Sequence, residues 1–365
     1  MTTRREILAL GAAAFGLLSA RGLFAGIARA RKPLDILILG GTGFLGPHQV
    51  EYALARGHRL TLFNRGRKDA TTLYGDRVEV LIGDRDSKTA PGLTALAGTR
   101  RWDAVIDNSG YVPRHVRDSA VLLKGRVGRY LFVSTVAAYE GAQAVSVESS
   151  PLRPLSNPEE EQVTLESYGA FKAEGDRIVR AVYGATATVV RPIYVVGPGD
   201  ESDRFTYWAA RTAEGGTVVG PRADAVDLQT VDVRDLCPWF VTLLERDVSG
   251  IFNAAAPAMS WDKVLEALRP LSKDAVCFVR PPAALIEELK IDFPLVLPSP
   301  VGKLFASDHA NFDGSRAKKM GLNYRPLADS GRATLEWWRA QTPERRAEAK
   351  HWPTSDQEKA ILDRM

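Results

Sequence analysis

The sequence predicts an α/β protein built on a doubly wound parallel sheet, and three observations carry that prediction. The first is the stretch Asp35 to Gly46, DILILGGTGFLG, where an apolar run enters a glycine cluster and a helical pattern follows. The second is a series of further short apolar runs, each ending in polar residues and most separated by amphipathic segments. The third is the pair Tyr168 and Lys172, four residues apart at the start of a later helix. Strands alternating with helices place parallel strands side by side with helices on both faces.

In the first unit Ile36 to Leu39 is the strand, and Phe44, Leu45, Val50, Tyr52, Ala53 and Leu54 mark the helix. A glycine turn between strand and helix is the context in which such a motif binds a dinucleotide, the Rossmann arrangement. Gly41 and Gly43 permit a tight turn and close approach of backbone to a pyrophosphate, and Gly46 lets helix pack on strand. With Gly40, Thr42, Phe44 and Leu45 they form the loop whose free N–H groups would face the phosphates. Pro47 falls in the first helical turn, where a missing N–H costs least.

Arg59 to Phe63 is the second strand and ends in Asn64-Arg65-Gly66-Arg67-Lys68. The acidic residue that binds a ribose 2′-hydroxyl in NAD sites is absent here, and a guanidinium suits a phosphate. The cofactor is therefore NAD(P), with NADP favoured, Arg65 as chief contact and Asn64 beside it. Val78 to Ile82 leads into Gly83-Asp84-Arg85-Asp86, Ala104 to Ile106 into Asp107-Asn108-Ser109-Gly110, and Tyr130 to Val133 into Ser134-Thr135. Pro91 to Ala97 and Val112 to Leu123 are the amphipathic connections. Ligands of such sheets lie beyond the carboxyl ends of the strands. Asp84, Arg85, Asn108, Ser109 and Ser134 are thus candidate cofactor contacts.

Ser149 to Glu161 reads as a loop, and a helix runs from Ser167 to about Val182. Tyr168 and Lys172 share a face of it. A phenol near pKa 10 is a poor base at neutral pH, and a nearby ammonium favours the phenolate. Thr135 supplies a hydroxyl to orient the oxygen that exchanges its proton with Tyr168. Thr135, Tyr168 and Lys172 are the candidate catalytic set.

The chain has 365 residues, 45% hydrophobic and 25% charged, which is ordinary for a globular protein. Two cysteines form no framework or CxxC motif, and five histidines are scattered without ligand spacing, so no metal is expected. The first thirty residues stand apart: Arg4-Arg5, an apolar run from Ile7 to Leu18, then Ala28-Arg29-Ala30. This is the layout of an export signal with a twin arginine, cleaved near Ala30, so the expected location is periplasmic. An uncleaved anchor or a disordered leader is the alternative, and a misread leader would leave the protein cytoplasmic. The apolar run is short for a membrane span. The leader holds four arginines and one glutamate, so the formal charge of +4 falls to +1 without it. Nucleic-acid binding is not expected of so neutral a chain, and a homodimer is left open.

GGTGFLG at 40–46, VSTVAAYE at 133–140, YGAFK at 168–172 and RPIYVVGPGD at 191–200 together resemble the short-chain dehydrogenase/reductases of the extended or atypical kind. These are the nucleotide-sugar epimerase and dehydratase relatives. Weaker likeness continues through VDVRDL at 231–236, GIFNAAA at 250–256 and LEWWR at 335–339. The resemblance implies that Tyr168 is the acid/base, that Lys172 holds the nicotinamide ribose and lowers the Tyr168 pKa, and that Thr135 is the catalytic hydroxyl. It further implies that Asp84 lies near the adenine and Asn108 near the ribose, with Pro192 at the cofactor. It divides the chain into a leader (1–30), a mainly nucleotide-binding part (31–196), a smaller α+β substrate-binding part (197–341) and a tail (342–365).

Two departures bear on substrate. Tyr194 stands where many nucleotide-sugar enzymes have asparagine, and Leu228 where they carry an arginine for the sugar-nucleotide phosphate. Asp227, Gln229 and Arg204 are replacement contacts or plain loop residues. Trp261, Phe293, Phe305, Trp337 and Trp338 are either pocket-lining or core residues. Pro281 to Phe305 reads as a helix and an irregular loop.

An exported enzyme without free NADPH must regenerate its cofactor within each cycle. The expected activity is therefore a sugar or sugar-like alcohol epimerase or dehydratase with retained NAD(P). One alternative is an NADPH-dependent reductase of a small carbonyl compound. A second is a non-catalytic RNA-binding member, since atypical relatives of this kind include chloroplast RNA-binding proteins.

Overall fold

All seven strands of the central sheet run the same way, in the order Glu79–Ile82, Arg59–Asn64, Asp35–Leu39, Trp102–Asp107, Val127–Val133, Ala187–Pro192 and Gly250–Ala254. The computed structural model describes residues 26–141, 144–223, 225, 227–291, 311–349 and 352–365. Residues 1–25 of the leader, and Phe293 and Phe305, lie outside the described residues. The strands are β1 (Asp35–Leu39), β2 (Arg59–Asn64), β3 (Glu79–Ile82), β4 (Trp102–Asp107), β5 (Val127–Val133), β6 (Ala187–Pro192), β7 (Tyr194–Val196), β8 (Gly216–Val219), β9 (Thr230–Asp232), β10 (Gly250–Ala254) and β11 (Val276–Val279). Ile36 to Leu39 are all fully buried, because helices cover both faces of a parallel sheet and its strands are apolar throughout.

The helices are α1 (Leu45–Arg56), α2 (Ala70–Tyr74), α3 (Pro113–Leu123), α4 (Leu165–Tyr183), α5 (Arg204–Glu214), α6 (Val233–Glu245), α7 (Trp261–Leu268), α8 (Ala283–Leu289), α9 (Ser315–Lys319), α10 (Leu327–Arg339), α11 (Pro343–Ala347) and α12 (Ser355–Leu362). α1 packs on α6, and α3 on α4. β4 and β5 begin two and three residues before the apolar runs that announce them, at Trp102 and Val127. Asp103 and Gly128 break those runs in sequence, yet each strand begins with a buried apolar residue. Pro91 to Ala97 does not become a helix: a single 3-10 turn forms at Thr94–Leu96. Pro91 and Gly92 leave too few residues for a nucleus, and Leu93 and Leu96 cover the sheet face without one.

α4 starts at Leu165, where the Thr164 side chain accepts from Ser167 N–H and the Ser167 hydroxyl caps in return. Gly169 then brings α4 against the turn after β5. A Cβ at that position would lie 2.3 Å from the Ala137 carbonyl oxygen.

The second unit holds two short parallel pairs, β7 with β9 and β8 with β11, against α5, α7 and α10. Its core is aromatic: the Trp208 and Trp261 rings meet at 5.1 Å, tilted by 51°, and Trp337 and Trp338 are buried beside α5. Trp261, Trp337 and Trp338 are therefore core residues. The last residues pack into this unit: Glu358 accepts from the Tyr207 hydroxyl at 2.6 Å, Trp352 donates to the Asp203 carbonyl at 3.0 Å, and Ile361 is fully buried. The units are not consecutive, because the chain returns from β9 through α6 to lay β10 beside β6 in the central sheet.

Behind β6 the Arg191 guanidinium, 1% exposed, is held by Asp176 of α4 at 2.5 Å and by the Tyr139 hydroxyl at 2.8 Å. Removing one partner of a buried pair leaves the other charge uncompensated. Asp176→Ala is expected to cost about 3–5 kcal/mol in urea unfolding. Glu161→Ala, which removes the exposed partner of Lys88 and Arg114, should cost roughly 1 kcal/mol or less.

Candidate active site

The glycine turn between β1 and α1 has the form of a phosphate cradle. Gly40 adopts φ +87°, and a Cβ at Gly46 would lie 2.2 Å from the Gly41 carbonyl oxygen. Only hydrogen at Cα allows α1 to start where it does. A Cβ at Gly43, in contrast, would meet nothing within 4 Å. The N-cap residue Phe44 makes no side-chain capping bond; Gly46 N–H donates to the Gly43 carbonyl at 3.2 Å, which leaves the Leu45 amide available to an anion. Thr42 and Leu45 complete this turn.

Asn108 lies at the end of β4, exchanging two side-chain hydrogen bonds with Gln49 of α1, at 2.9 and 2.7 Å. Its amide also reaches the Gly40 carbonyl at 3.3 Å, which locks strand end, turn and helix together. Ser134 ends β5 with its hydroxyl buried and without a hydrogen-bond partner among the described residues. Asn64 Oδ1 accepts from Gly66 N–H at 2.8 Å, shaping the basic loop, while Arg65 stands exposed. The Asp84 carboxylate accepts from Asp86 N–H at 2.9 Å and is half-buried. Pro192 is buried as the last residue of β6, paired in register with Ala254.

Arg85 and Ser109 belong to a buried hydrogen-bond network around Asp107. The buried Arg85 guanidinium donates to Asp107 at 2.5 and 3.0 Å, to Ser119 at 2.9 Å and to Ser109 at 3.1 Å. Tyr130 donates to the same Asp107 carboxylate at 2.7 Å, and the Ser109 hydroxyl donates to the Leu39 carbonyl at 3.1 Å. Asp107, fully buried, needs these donors, and they hold its carboxyl below the usual range against the opposing effect of burial.

α4 and the β5 end bring the three candidate catalytic residues together. Thr135 caps the following turn by accepting from Ala137 N–H at 3.2 Å, and its hydroxyl acts to lower the pKa of the Tyr168 phenol. Lys172 is 2% exposed, and its Nζ donates to the carbonyls of Gly110 at 2.9 Å and Val133 at 2.5 Å. The Phe132 ring lies 4.4 Å from that ammonium and the Tyr111 ring 5.4 Å, while Tyr111 and Tyr168 have ring centroids 6.4 Å apart.

The electrostatics differ from the expectation that Lys172 lowers the Tyr168 pKa. Burial, reinforced by the neighbouring Tyr111, pushes the phenol up to about 12, opposed by the Thr135 hydroxyl and the charge of Arg204. Burial also lowers the Lys172 ammonium to about 7, against the pull of Asp107. A lysine turned onto two carbonyls and half-discharged at neutral pH is a weak positive neighbour. The buried amine has a stability consequence as well. Between pH 7 and 10.5 the unfolded chain binds a proton there that the folded chain does not, so stability rises with pH. Without cofactor, Lys172→Met should be more stable than wild type by a few kcal/mol at pH 7. Urea unfolding should show that gap closing toward pH 10.5.

A model of the NAD dependent epimerase/dehydratase family matches residues 36–255, from β1 through the end of β10. The chain belongs to this family. It is similar to a chloroplast stem-loop binding protein of 41 kDa from Arabidopsis thaliana, 26% identical over 61% of this chain and 59% of that one. It is also similar to sterol demethylase protein B from Methylococcus capsulatus, 28% identical over 46% of this chain and 53% of that one. The chain thus spans little more than half the length of these curated relatives. Among solved structures, UDP-glucuronic acid 4-epimerase from Bacillus cereus in complex with NAD shares the fold, with TM-score 0.58, 16% identity, and coverage of 83% of this chain and 96% of that one.

At this site sequence reasoning missed Gln49, Asp107, Tyr111 and Gly169. Asp107 sits within the quoted strand end, and its burial was the absent information. Gly169 lies inside the YGAFK motif, where a glycine in a helix signals close approach. Among the described residues no cluster of three or more His, Cys, Asp or Glu is arranged to hold a metal ion, and no helix is long and apolar enough to cross a membrane.

The cradle makes a paired prediction. Gly46→Ala should destabilise folding by about 1–3 kcal/mol through the backbone collision. Gly43→Ala should leave the melting temperature nearly unchanged, yet weaken dinucleotide binding roughly tenfold or more by filling the space a pyrophosphate would use. Calorimetry and equilibrium binding on both variants check this.

Proposed function

We propose that this protein is an exported epimerase or dehydratase that retains NAD(P) and acts on a sugar or sugar-like alcohol. The observation that carries the reading is the meeting of Tyr168 and buried Lys172 with the Thr135 hydroxyl at the end of β5, where the Tyr111 ring lies 6.4 Å from the Tyr168 ring and 5.4 Å from the Lys172 ammonium. The glycine cradle, the uncapped start of α1 and the unpartnered Ser134 hydroxyl fit a dinucleotide, whose nicotinamide supplies a reversible hydride acceptor when bound. Thr135 orients the substrate hydroxyl, Tyr168 takes and returns its proton, and Lys172 anchors the cofactor ribose. The exposed Arg65 supports NADP over NAD.

A nucleotide-free sugar is favoured by the loop before β9. Leu228 is 3% exposed, bonded through its backbone to Met259, and offers no charge to a diphosphate. Gln229 is likewise committed, its amide donating to the carbonyls of Ala256 and Phe312 and accepting from Phe312 N–H. Asp227 is exposed. The family and the Bacillus cereus epimerase support sugar chemistry, and the twin-arginine leader supports export with the cofactor already bound. The Arabidopsis relative's name favours RNA binding as a second reading. Against it stand the net charge of +1 beyond the leader and the assembled Thr135, Tyr168 and Lys172.

The deciding measurement is on folded protein purified without added nucleotide, then denatured. Near one NAD⁺ or NADP⁺ per chain is expected, and an empty site that consumes added NADPH stoichiometrically would overturn the reading. Tyr168→Phe should keep that stoichiometry while lowering kcat by about 10²–10⁴.

A further inference from the structure

Tyr111 stays 48% exposed although it touches both Tyr168 and Lys172. Its ring centroid lies 6.4 Å from that of Tyr168, tilted by 35°, and 5.4 Å from the Lys172 Nζ. The backbone that carries the ring is fixed on both sides. Tyr111 N–H donates to the Ser109 carbonyl at 3.1 Å, the Gly110 carbonyl accepts from Lys172 Nζ at 2.9 Å, and Pro113 opens α3 two residues later. Among the described residues Tyr111 joins none of the hydrophobic clusters of the fold, and its hydroxyl has no hydrogen-bond partner. The fold gains little from this side chain. A rigidly presented aromatic face beside the reacting groups is the kind of surface a ligand covers.

A second apolar side chain lies one helical turn from the phenol. Leu165, the first residue of α4, precedes Tyr168 by three and Lys172 by seven, so the three share a helix face. It is 65% exposed, and Val163 just before the cap is exposed as well. Apolar surface therefore continues from Tyr168 toward the start of α4. A nucleoside diphosphate has no use for such a surface, and buried Leu228 and committed Gln229 give it no charge elsewhere. An aryl or alkyl group does have a use for it, because seating there removes its own surface and that of ring and leucine from water.

We propose that Tyr111 and Leu165 form a subsite for an apolar aglycone, so that the substrate is an aryl or alkyl glycoside whose sugar reacts at Tyr168. This inference rests on the sugar reading above and deepens it by naming what the sugar carries. Tyr111 sets the specificity by packing its ring on the aglycone, and Leu165 extends the contact. Neither takes part in proton transfer.

The test is equilibrium binding of methyl and phenyl β-D-glycosides of glucose, galactose and mannose to the folded protein loaded with its dinucleotide. In at least one pair the phenyl glycoside should bind about tenfold tighter or more than the methyl glycoside. Tyr111→Ala should bring that pair to equal affinity, while methyl glycoside affinity, dinucleotide affinity and melting temperature stay as in wild type. Leu165→Ser should close part of the gap, and Tyr111→Phe should keep it. Equal affinity within every pair, or a phenyl preference that survives Tyr111→Ala, overturns the proposal and leaves the sugar reading standing. Loss of dinucleotide affinity in Tyr111→Ala overturns it too, since the ring would then cover the nicotinamide. Benzyl alcohol bound through Tyr111 while no glycoside binds would sink the sugar reading and leave the apolar subsite. Failure of every probe, benzyl alcohol included, removes the subsite as well.

Discussion

The architecture depends on one steric constraint, the contact of α1 with its own glycine turn. With Gly46 against the Gly41 carbonyl, α1 starts close against its own glycine turn at the end of β1. Asn108 and Gln49 then tie that turn to β4, and α1 packs on α6 from the far part of the chain. A side chain at this single position would separate all of these. A second constraint of the same kind acts at Gly169, which carries Tyr168 up to Thr135. Two close backbone approaches thus place both halves of the chemistry.

Between them lies a buried polar layer that holds the strand ends in register. Asp107 is satisfied by Arg85, Tyr130 and the Ser109 N–H, and Lys172 by two carbonyls. Each charge is compensated by partners from different elements, so the layer tolerates little rearrangement. The second unit is organised differently, around edge-on and tilted aromatic pairs and the ion pair of Arg211 with Glu358.

The alternation of strands and helices, the glycine turn and the Tyr168–Lys172 spacing were legible because each rests on local pattern. The first five strands lie where their apolar runs place them, with ends shifted at Trp102 and Val127 where a polar or glycine residue interrupts the run. Less legible was anything decided by distant partners. The buried ion pair of Arg85 with Asp107 is not visible in the sequence, and Trp261, Trp337 and Trp338 read equally as pocket or core. The Tyr168 environment was misjudged for the same reason. Spacing places an ammonium on the same helix face, but not the burial that raises the Tyr168 phenol and lowers the Lys172 ammonium. Pro91 to Ala97 failed as a helix because its leucines satisfy the sheet from a turn.

The position of β10 bears on the order in which the molecule is made. The sheet edge beside β6 is supplied by Gly250–Ala254, after α5, β8, β9 and α6 have been laid down. A ribosome delivering this chain from its N-terminus exposes β6 as an open edge for the whole of that interval. The nucleotide-binding half therefore cannot mature as an independent module and then await its partner. Both units reach their final form together, late in synthesis, and an unpaired β6 is the point where a nascent chain is most open to misassociation.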